Sequence, residues 1–294
     1  MAADDQHAAN RAVWADHRWD FAVDGWLDPA EPAALVAAAG SVRGTPALDL
    51  GVGAGRTVPL LRLLTDDYLG LDYVPEMVGL CRQRHPGADV RLGDARDLSM
   101  LGDGSIGFVY FADNGIDAVG HDDRERVLGE VARVLRPGGA FLLSTLNRDG
   151  PLWTCRPGSV PTPAWTSGLI QGYVDGAGAD HGGRVSPAAT ADTSTATGDA
   201  RLARTVVNWR RLSRLRTDAR EWGVGPIPAY DFGLLAHFST LGAARRSLRA
   251  HGLRSTLAWD CASPHPLPTE VTTTGALYFY LLAVREGGVQ GGSP

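Results

Sequence analysis

The run Ala47-Leu-Asp-Leu-Gly-Val-Gly-Ala-Gly-Arg56 limits what this chain can fold into more than any other stretch. A short strand-like segment ends in a turn with glycine at 51, 53 and 55, and a helical pattern follows from Thr57 to Leu64. A strand, a tight loop and a helix in that order form the unit with which α/β sheets hold a nucleotide at a strand's carboxyl end. The glycines read G-x-G-x-G. The dinucleotide fingerprint G-x-G-x-x-G needs glycine at 56, where this chain has Arg56. Asp49, two residues before the first glycine, puts a carboxylate beside the expected ligand.

The pattern then repeats. Tyr68 to Asp72 reads as the next strand, and Asp72 at its end is placed to accept hydrogen bonds from both hydroxyls of a ribose. A third strand from Asp89 ends in Gly93-Asp94. Three strand-end acids in register point to a nucleoside ligand. Strands are expected at 106–111 and 140–147. Between them a helix from Arg124 to Leu135 carries Val127, Leu128, Val131 and Val134 at helical spacing, and Arg136-Pro-Gly-Gly139 stops it. Strands separated by single helices imply a parallel sheet. Residues 8–28 read as a helical lead-in with Trp14, Trp19, Phe21 and Trp26, and an alanine-rich helix spans 32–39. Residues 150–200 are rich in Gly, Pro, Ser and Thr and read as loop or lid. A helix over 203–218, a strand from Asp231 to Phe238, a helix capped by Ser239 and ended by Gly252, and a terminal hairpin (257–261 and 276–284) complete the reading.

DLGVGAGR, GLDY, GDARDL, FADNGID and VLRPGG, in this order, resemble a class I S-adenosylmethionine-dependent methyltransferase, closely over residues 45–148 and more loosely elsewhere. The resemblance implies an α/β fold: a Rossmann-like seven-stranded, mostly parallel sheet with an antiparallel last strand, helices on both faces and a cap. It divides the chain into a lid segment (1–30), a cofactor core (31–149), a cap insertion (150–229) and a completion of the core sheet (230–294). The implied cofactor is S-adenosyl-L-methionine, with S-adenosyl-L-homocysteine as product. The loop glycines Gly51, Gly53 and Gly55 would face its methionine part with Asp49 beside the cofactor, and Arg56 would hold its carboxylate by a forked pair of hydrogen bonds. Asp72 would take the ribose, Tyr73 and Met77 would flank the adenosine, and Asp94, Ala95 and Arg96 would lie at the adenine. Phe111, Asn114 and Asp117 would stand near the reacting centre. In similar chains the fourth strand ends F-S-F-N-G-I-D; here Ala112 and Asp113 replace Ser and Phe.

Plainer roles stand beside these. Asp72 can cap the helix after it, Asp94 can form a turn, and Arg56 can point to water. A sulfonium already activates its methyl group, so the protein mainly aligns the attack and excludes water. Where a base is needed, His237 is the first candidate, then Glu221, His17 and His181, with Asn114 as a polar group beside the reaction. Trp14, Trp19 and Trp26 form either an aromatic wall over the ligand or core packing.

Net charge is -5, and all 28 basic residues are arginine. No basic run suggests nucleic acid, and no apolar run suggests a membrane. The three cysteines are far apart, which fits free thiols in a reducing cytoplasm and no zinc site. The expected partner is a small-molecule acceptor, with the protein a monomer or homodimer and no metal. An aromatic natural product is the favoured acceptor class. The layout is similar to actinobacterial indole C-methyltransferases, which makes an indole carbon the specific expectation and an oxygen or nitrogen the alternative. A non-catalytic or cyclase-type cofactor binder and a nicotinamide-dependent oxidoreductase are the rival classes.

Overall fold

A computed structural model describes residues 3–17, 28–159 and 198–287. Its main sheet contains β1 (Ala47–Leu50), β2 (Tyr68–Asp72), β3 (Asp89–Leu92), β4 (Ile106–Phe111), β5 (Leu135–Leu146), β9 (Leu253–Asp260) and β10 (Tyr278–Arg285). Their order is β3-β2-β1-β4-β5-β10-β9. Strand β1 lies parallel to both β2 and β4, and β10 runs antiparallel to both β5 and β9. The expected seven-stranded sheet with an antiparallel last strand is therefore present. The strand order reverses between β1 and β4. Such a switch point leaves a crevice at the strands' carboxyl ends, because the loops from the two strands depart in opposite directions.

Both faces of the sheet are covered. Strand β4 is buried at every position. Its Phe108 and Tyr110 enter one core with Ala34, Leu35 and Ala38 of α2 (Ala30–Val42). Val109 and Phe111 enter the other with Val127, Leu128 and Val131 of α5 (His121–Val134). Alternate side chains of a strand point to opposite faces, so one apolar run serves two cores. Helix α5 ends at Val134, and Leu135 already pairs with Ile106; a ladder irregularity then absorbs the Pro137-Gly138 turn before Phe108 meets Ala140.

The second half departs from expectation in three respects. The strand predicted at 231–238 forms over Leu234–Ser239 (β8), but it does not join the main sheet. It pairs antiparallel with β7 (Trp222–Ile227), which pairs with the short β6 (Thr217–Asp218). Residues 234–239 therefore lie outside the main sheet, and the helix predicted through 218 ends at Ser213 as α6 (Gly198–Ser213). The segment Trp222-Gly-Val-Gly-Pro-Ile227 hides its strand character because glycine and proline disfavour strands. Gly223 is required there: a Cβ would stand 2.3 Å from the Trp153 ring. Thr240, not Ser239, caps α7 (Leu241–Ala250), its hydroxyl accepting from the Ala243 amide at 3.1 Å. The lead-in helix is α1 (Ala3–Asp16); Trp19, Phe21 and Trp26 lie outside the described residues, as does most of the 150–200 stretch.

All three cysteines are free and buried. Among the described residues, no helix is long and apolar enough to cross a membrane. Nor is any group of three or more His, Cys, Asp or Glu among them placed to hold a metal ion.

Candidate functional site

A cavity opens at the β1/β4 switch point. Gly51, Gly53, Asp72, Tyr73, Met77, Gly93 and Ala95 line its core side. Phe111, Asn114, Asp117, Leu146, Leu152, Ile227, Leu235 and Tyr278 continue it toward the cap, and Trp14 of α1 reaches it. Together they enclose about 1440 Å³, the open mouth included.

Local geometry explains the core side. Gly51 has φ +62, a left-handed conformation that side chains resist, and a Cβ there would stand 2.8 Å from the Phe111 ring. The Asp72 carboxylate ties this loop to the end of β2. Its Oδ2 accepts from the Gly53 amide and its Oδ1 from the Val74 amide, both at 2.9 Å. Burial pushes its pKa up to about 6, although these amides pull it down.

Five of the residues expected at the ligand, Asp49, Gly55, Arg56, Asp94 and Arg96, do not line the cavity. Asp49 does not line the cavity. It lies beneath the loop, accepting from the Thr57 hydroxyl at 2.5 Å and the Tyr68 hydroxyl at 2.9 Å. Burial raises it to about 6. Gly55 and Arg56 are also not part of the wall. Both arms of the Arg56 fork bind Glu31 of α2 at 2.8 Å, and the Tyr110 hydroxyl donates to the same carboxylate at 2.7 Å. Glu31 is fully buried, so its charge needs this partner. Asp94 is bound by the Arg96 side chain (2.8 Å at Nη2) and by its backbone amide (2.9 Å). Burial opposes its charge, but the Arg96 hydrogen bonds hold its carboxyl below the usual range. Arg96 also binds Asp123 at 2.8 Å, and neither Asp94 nor Arg96 lines the cavity; their neighbour Ala95 does.

The loop after β4 carries the polar groups on the cap side. Asp113 and Asn114 both adopt positive φ, +49 and +55. The Asn114 amide donates to Ser144 Oγ at 2.8 Å, which fixes the turn, while its side-chain Oδ1 is buried without a hydrogen bond. Asp117 accepts from Thr145 Oγ1 at 2.8 Å and from the Leu146 amide at 2.6 Å. Arg124 Nε stands 3.6 Å away, yet burial prevails and lifts Asp117 to about 7.

The candidate bases lie elsewhere. His237 is 1% exposed and does not line the cavity. It stands behind Asp117, with Nδ1 3.8 Å from Asp117 Oδ1 and Nε2 3.1 Å from His121 Nδ1. Burial, with Arg124 and His121 nearby, holds its pKa well below the usual histidine value. Glu221 forms an ion pair with Arg246 at 2.6 Å, with half of its side chain exposed. His17 packs on Tyr230, ring centroids 4.3 Å apart, and His181 lies outside the described residues. Sequence reasoning missed the apolar cap wall at Ile227–Ala229 and Leu234–Ala236. The only signal for it is a pair of uncharged apolar runs on either side of Tyr230-Asp231.

Asn10 of α1 ties this helix to both sides of the site. Asn10 is 1% exposed; its Nδ2 donates to the carbonyls of Ala118 (2.8 Å) and Leu235 (2.7 Å), and its Oδ1 accepts from the Leu235 amide at 3.1 Å.

Residues 48–143 match the methyltransferase domain family. A Mycolicibacterium smegmatis protein named a probable S-adenosylmethionine-dependent methyltransferase is 36% identical over 106 residues, 36% of this chain and 39% of that protein. A fatty-acid O-methyltransferase of the same organism is 34% identical over 130 residues, covering 40% and 43% of the two chains. The matched stretch thus spans about two fifths of these relatives' length. Among solved structures, the Burkholderia thailandensis 1,6-didemethyltoxoflavin-N1-methyltransferase, bound to 1,6-didemethyltoxoflavin and S-adenosylhomocysteine, covers 98% of this chain and 92% of its own, with TM-score 0.57 and 13% identity. At that identity the likeness is one of fold.

Proposed function

We propose that this chain, whose residues 48–143 belong to the methyltransferase domain family, is an S-adenosylmethionine-dependent methyltransferase of a small-molecule acceptor. One observation carries the reading: a single cavity joins the glycine loop and Asp72 to an apolar chamber under the cap. Cofactor and acceptor would share it, the first over the strand ends and the second against β8. The Asp72 carboxylate, already at the strand end, would accept from the ribose hydroxyls. Gly51 and Gly53 offer close backbone approach, and Tyr73, Met77 and Ala95 an apolar seat for the adenosine. Asp49, Arg56 and Asp94 act one step back. The first holds the loop, the second anchors it to α2, and the third is committed to Arg96.

When bound, the cofactor would supply an activated methyl group, leaving as S-adenosylhomocysteine with the carbon–sulfur electron pair on sulfur, and a proton lost by the acceptor would pass to solvent. The residues orient the acceptor and exclude water through the chamber walls and Trp14. Asn114 and Asp117 are the polar groups at the junction of the two halves. His237 and Glu221 do not reach it, so neither is proposed as a base. An aromatic natural product suits the chamber, with an indole carbon as one specific acceptor and an oxygen or nitrogen as the alternatives.

Calorimetric titration tests the reading. S-adenosylhomocysteine is expected to bind the wild type in the micromolar range and to lose at least tenfold in affinity for Asp72→Ala, while NADH does not bind. NADH binding without the sulfur nucleoside overturns the proposal in favour of an oxidoreductase. Cofactor binding without methyl transfer to any screened acceptor favours a non-catalytic binder.

A further inference from the structure

Two imidazoles lead from the cavity wall toward the surface. Asp117 lines the cavity where its two halves meet. His237 Nδ1 of β8 stands 3.8 Å from Asp117 Oδ1, about half an ångström beyond hydrogen-bond reach, and has no hydrogen-bond partner. His237 Nε2 lies 3.1 Å from His121 Nδ1. His237 is 1% exposed, whereas His121, at the start of α5, is half-buried and stacks on Trp222 of β7. A buried ring nitrogen turned toward a carboxylate with nothing else to bind is costly for a merely structural histidine. Arg124 of α5 faces both Asp117 and His237, but its Nε makes no hydrogen bond and its Nη2 binds Thr145. From β5, Asp117 receives two neutral donors, the Thr145 hydroxyl and the Leu146 amide. Asp122, Glu125 and Arg124 face His121. Burial lifts Asp117 to about 7, so near neutrality much of it keeps its proton.

We propose that Asp117, His237 and His121 form a proton relay that answers positive charge in the cavity: a cation at the junction ionises Asp117, and the proton leaves through the two imidazoles to solvent. The cation need not touch the carboxylate, because charges act strongly on one another across a wall of low dielectric. Each ring gains a proton at Nδ1 and gives one up at Nε2, so its own charge is unchanged. The reverse passage restores the site when the cation leaves. The inference rests on the methyl-transfer reading, in which S-adenosylmethionine brings a positive sulfur to this junction and S-adenosylhomocysteine leaves with a neutral one. It gives His237 and His121 a part in proton traffic without placing either at the reacting atoms.

Calorimetry of the full chain at about pH 6.5, in phosphate, MES and Bis-Tris, counts the protons exchanged on binding. S-adenosylmethionine is expected to release at least about half a proton per site more than S-adenosylhomocysteine. Ribose and adenine are common to both ligands, so the difference belongs to the charge on sulfur. Sinefungin, which carries an amine there, should behave like S-adenosylmethionine. Asp72 and Asp113 also line the cavity, so Asp117→Asn decides the assignment: it should abolish the excess. Stopped-flow mixing with a pH indicator tests the route, and this arm stands even if Asp117→Asn fails to fold. Proton release should keep pace with binding in the wild type, lag at least about tenfold in His121→Ala, and recover on adding free imidazole, which a merely structural role would not produce. Equal release for the two sulfur nucleosides, or an excess that survives Asp117→Asn, overturns the charge response. An unchanged release rate in His121→Ala overturns the route. Failure of both sulfur nucleosides to bind removes the underlying reading instead.

Discussion

Asp72 is a residue whose stability and function pull apart. The residue is 7% exposed and burial raises its pKa from 3.8 to about 6. The folded state thus holds a proton that the unfolded state has already lost between those values. Its contribution to stability is full below pH 4 and is lost as pH rises through 6. Asp72→Asn removes the charge while keeping one acceptor oxygen. It should therefore raise stability by about 1–2 kcal/mol at pH 8 and by little at pH 4, while weakening the cofactor complex. Thermal unfolding at both pH values checks this, and a gain of equal size at each counts against it. Arg56 makes the complementary case. Its sequence position suggested a ligand carboxylate, but its fork is taken by Glu31, a fully buried residue on α2. Arg56→Ala should cost about 3–5 kcal/mol, because a buried charge loses its partner. A double change, Glu31→Leu with Arg56→Met, should recover most of that in urea denaturation. A single-mutant loss below about 1 kcal/mol would show the pair to be dispensable.

At the scale of elements, α1 is the informative case. Its sequence has no apolar stripe to predict where it docks; Gln6 and Asn10 are buried on the docked side. Asn10 alone makes three hydrogen bonds, to Ala118 after β4 and to both backbone groups of Leu235 in β8. The helix therefore joins the core half of the cavity to the cap half. Asn10→Ala is expected to cost about 2–3 kcal/mol, since truncation leaves buried backbone groups unpaired. Hydrogen exchange should accelerate first at the Leu235 amide and spare β1 and β4. Uniform acceleration across the sheet would mean that α1 is part of the global folding unit rather than a local strap. Strand β7 teaches a related point. Its glycines make a poor strand locally, yet Trp153 occupies the space their side chains would fill.

At the scale of the molecule, a buried polar seam joins the cap sheet to the core at His237. Asp117 and Arg124 face it from the core, and His121 pairs with it while stacking on Trp222, centroids 3.9 Å apart. Because the folded pKa of His237 is depressed, the unfolded chain takes up a proton first, and stability falls as pH drops below 6.5. His237→Gln should flatten that acid limb in melting temperatures measured from pH 5 to 8; a curve parallel to the wild type's would place the acid sensitivity elsewhere. What the sequence by itself determined is local in origin. The glycine loop, the acids at the ends of β1 and β2, the helix over Val127–Val134 and the run of parallel strands each follow from neighbours a few residues apart. The tertiary structure decided which of those acids faces the cavity. It turned Asp49 toward Tyr68 and gave Arg56 to Glu31, 25 residues away. It also set β8 in a second sheet and put His237 beside His121, 116 residues distant. Spacing along a chain fixes conformation over one or two turns, whereas the partner of a buried charge is chosen by whatever the fold brings within about 3 Å of it.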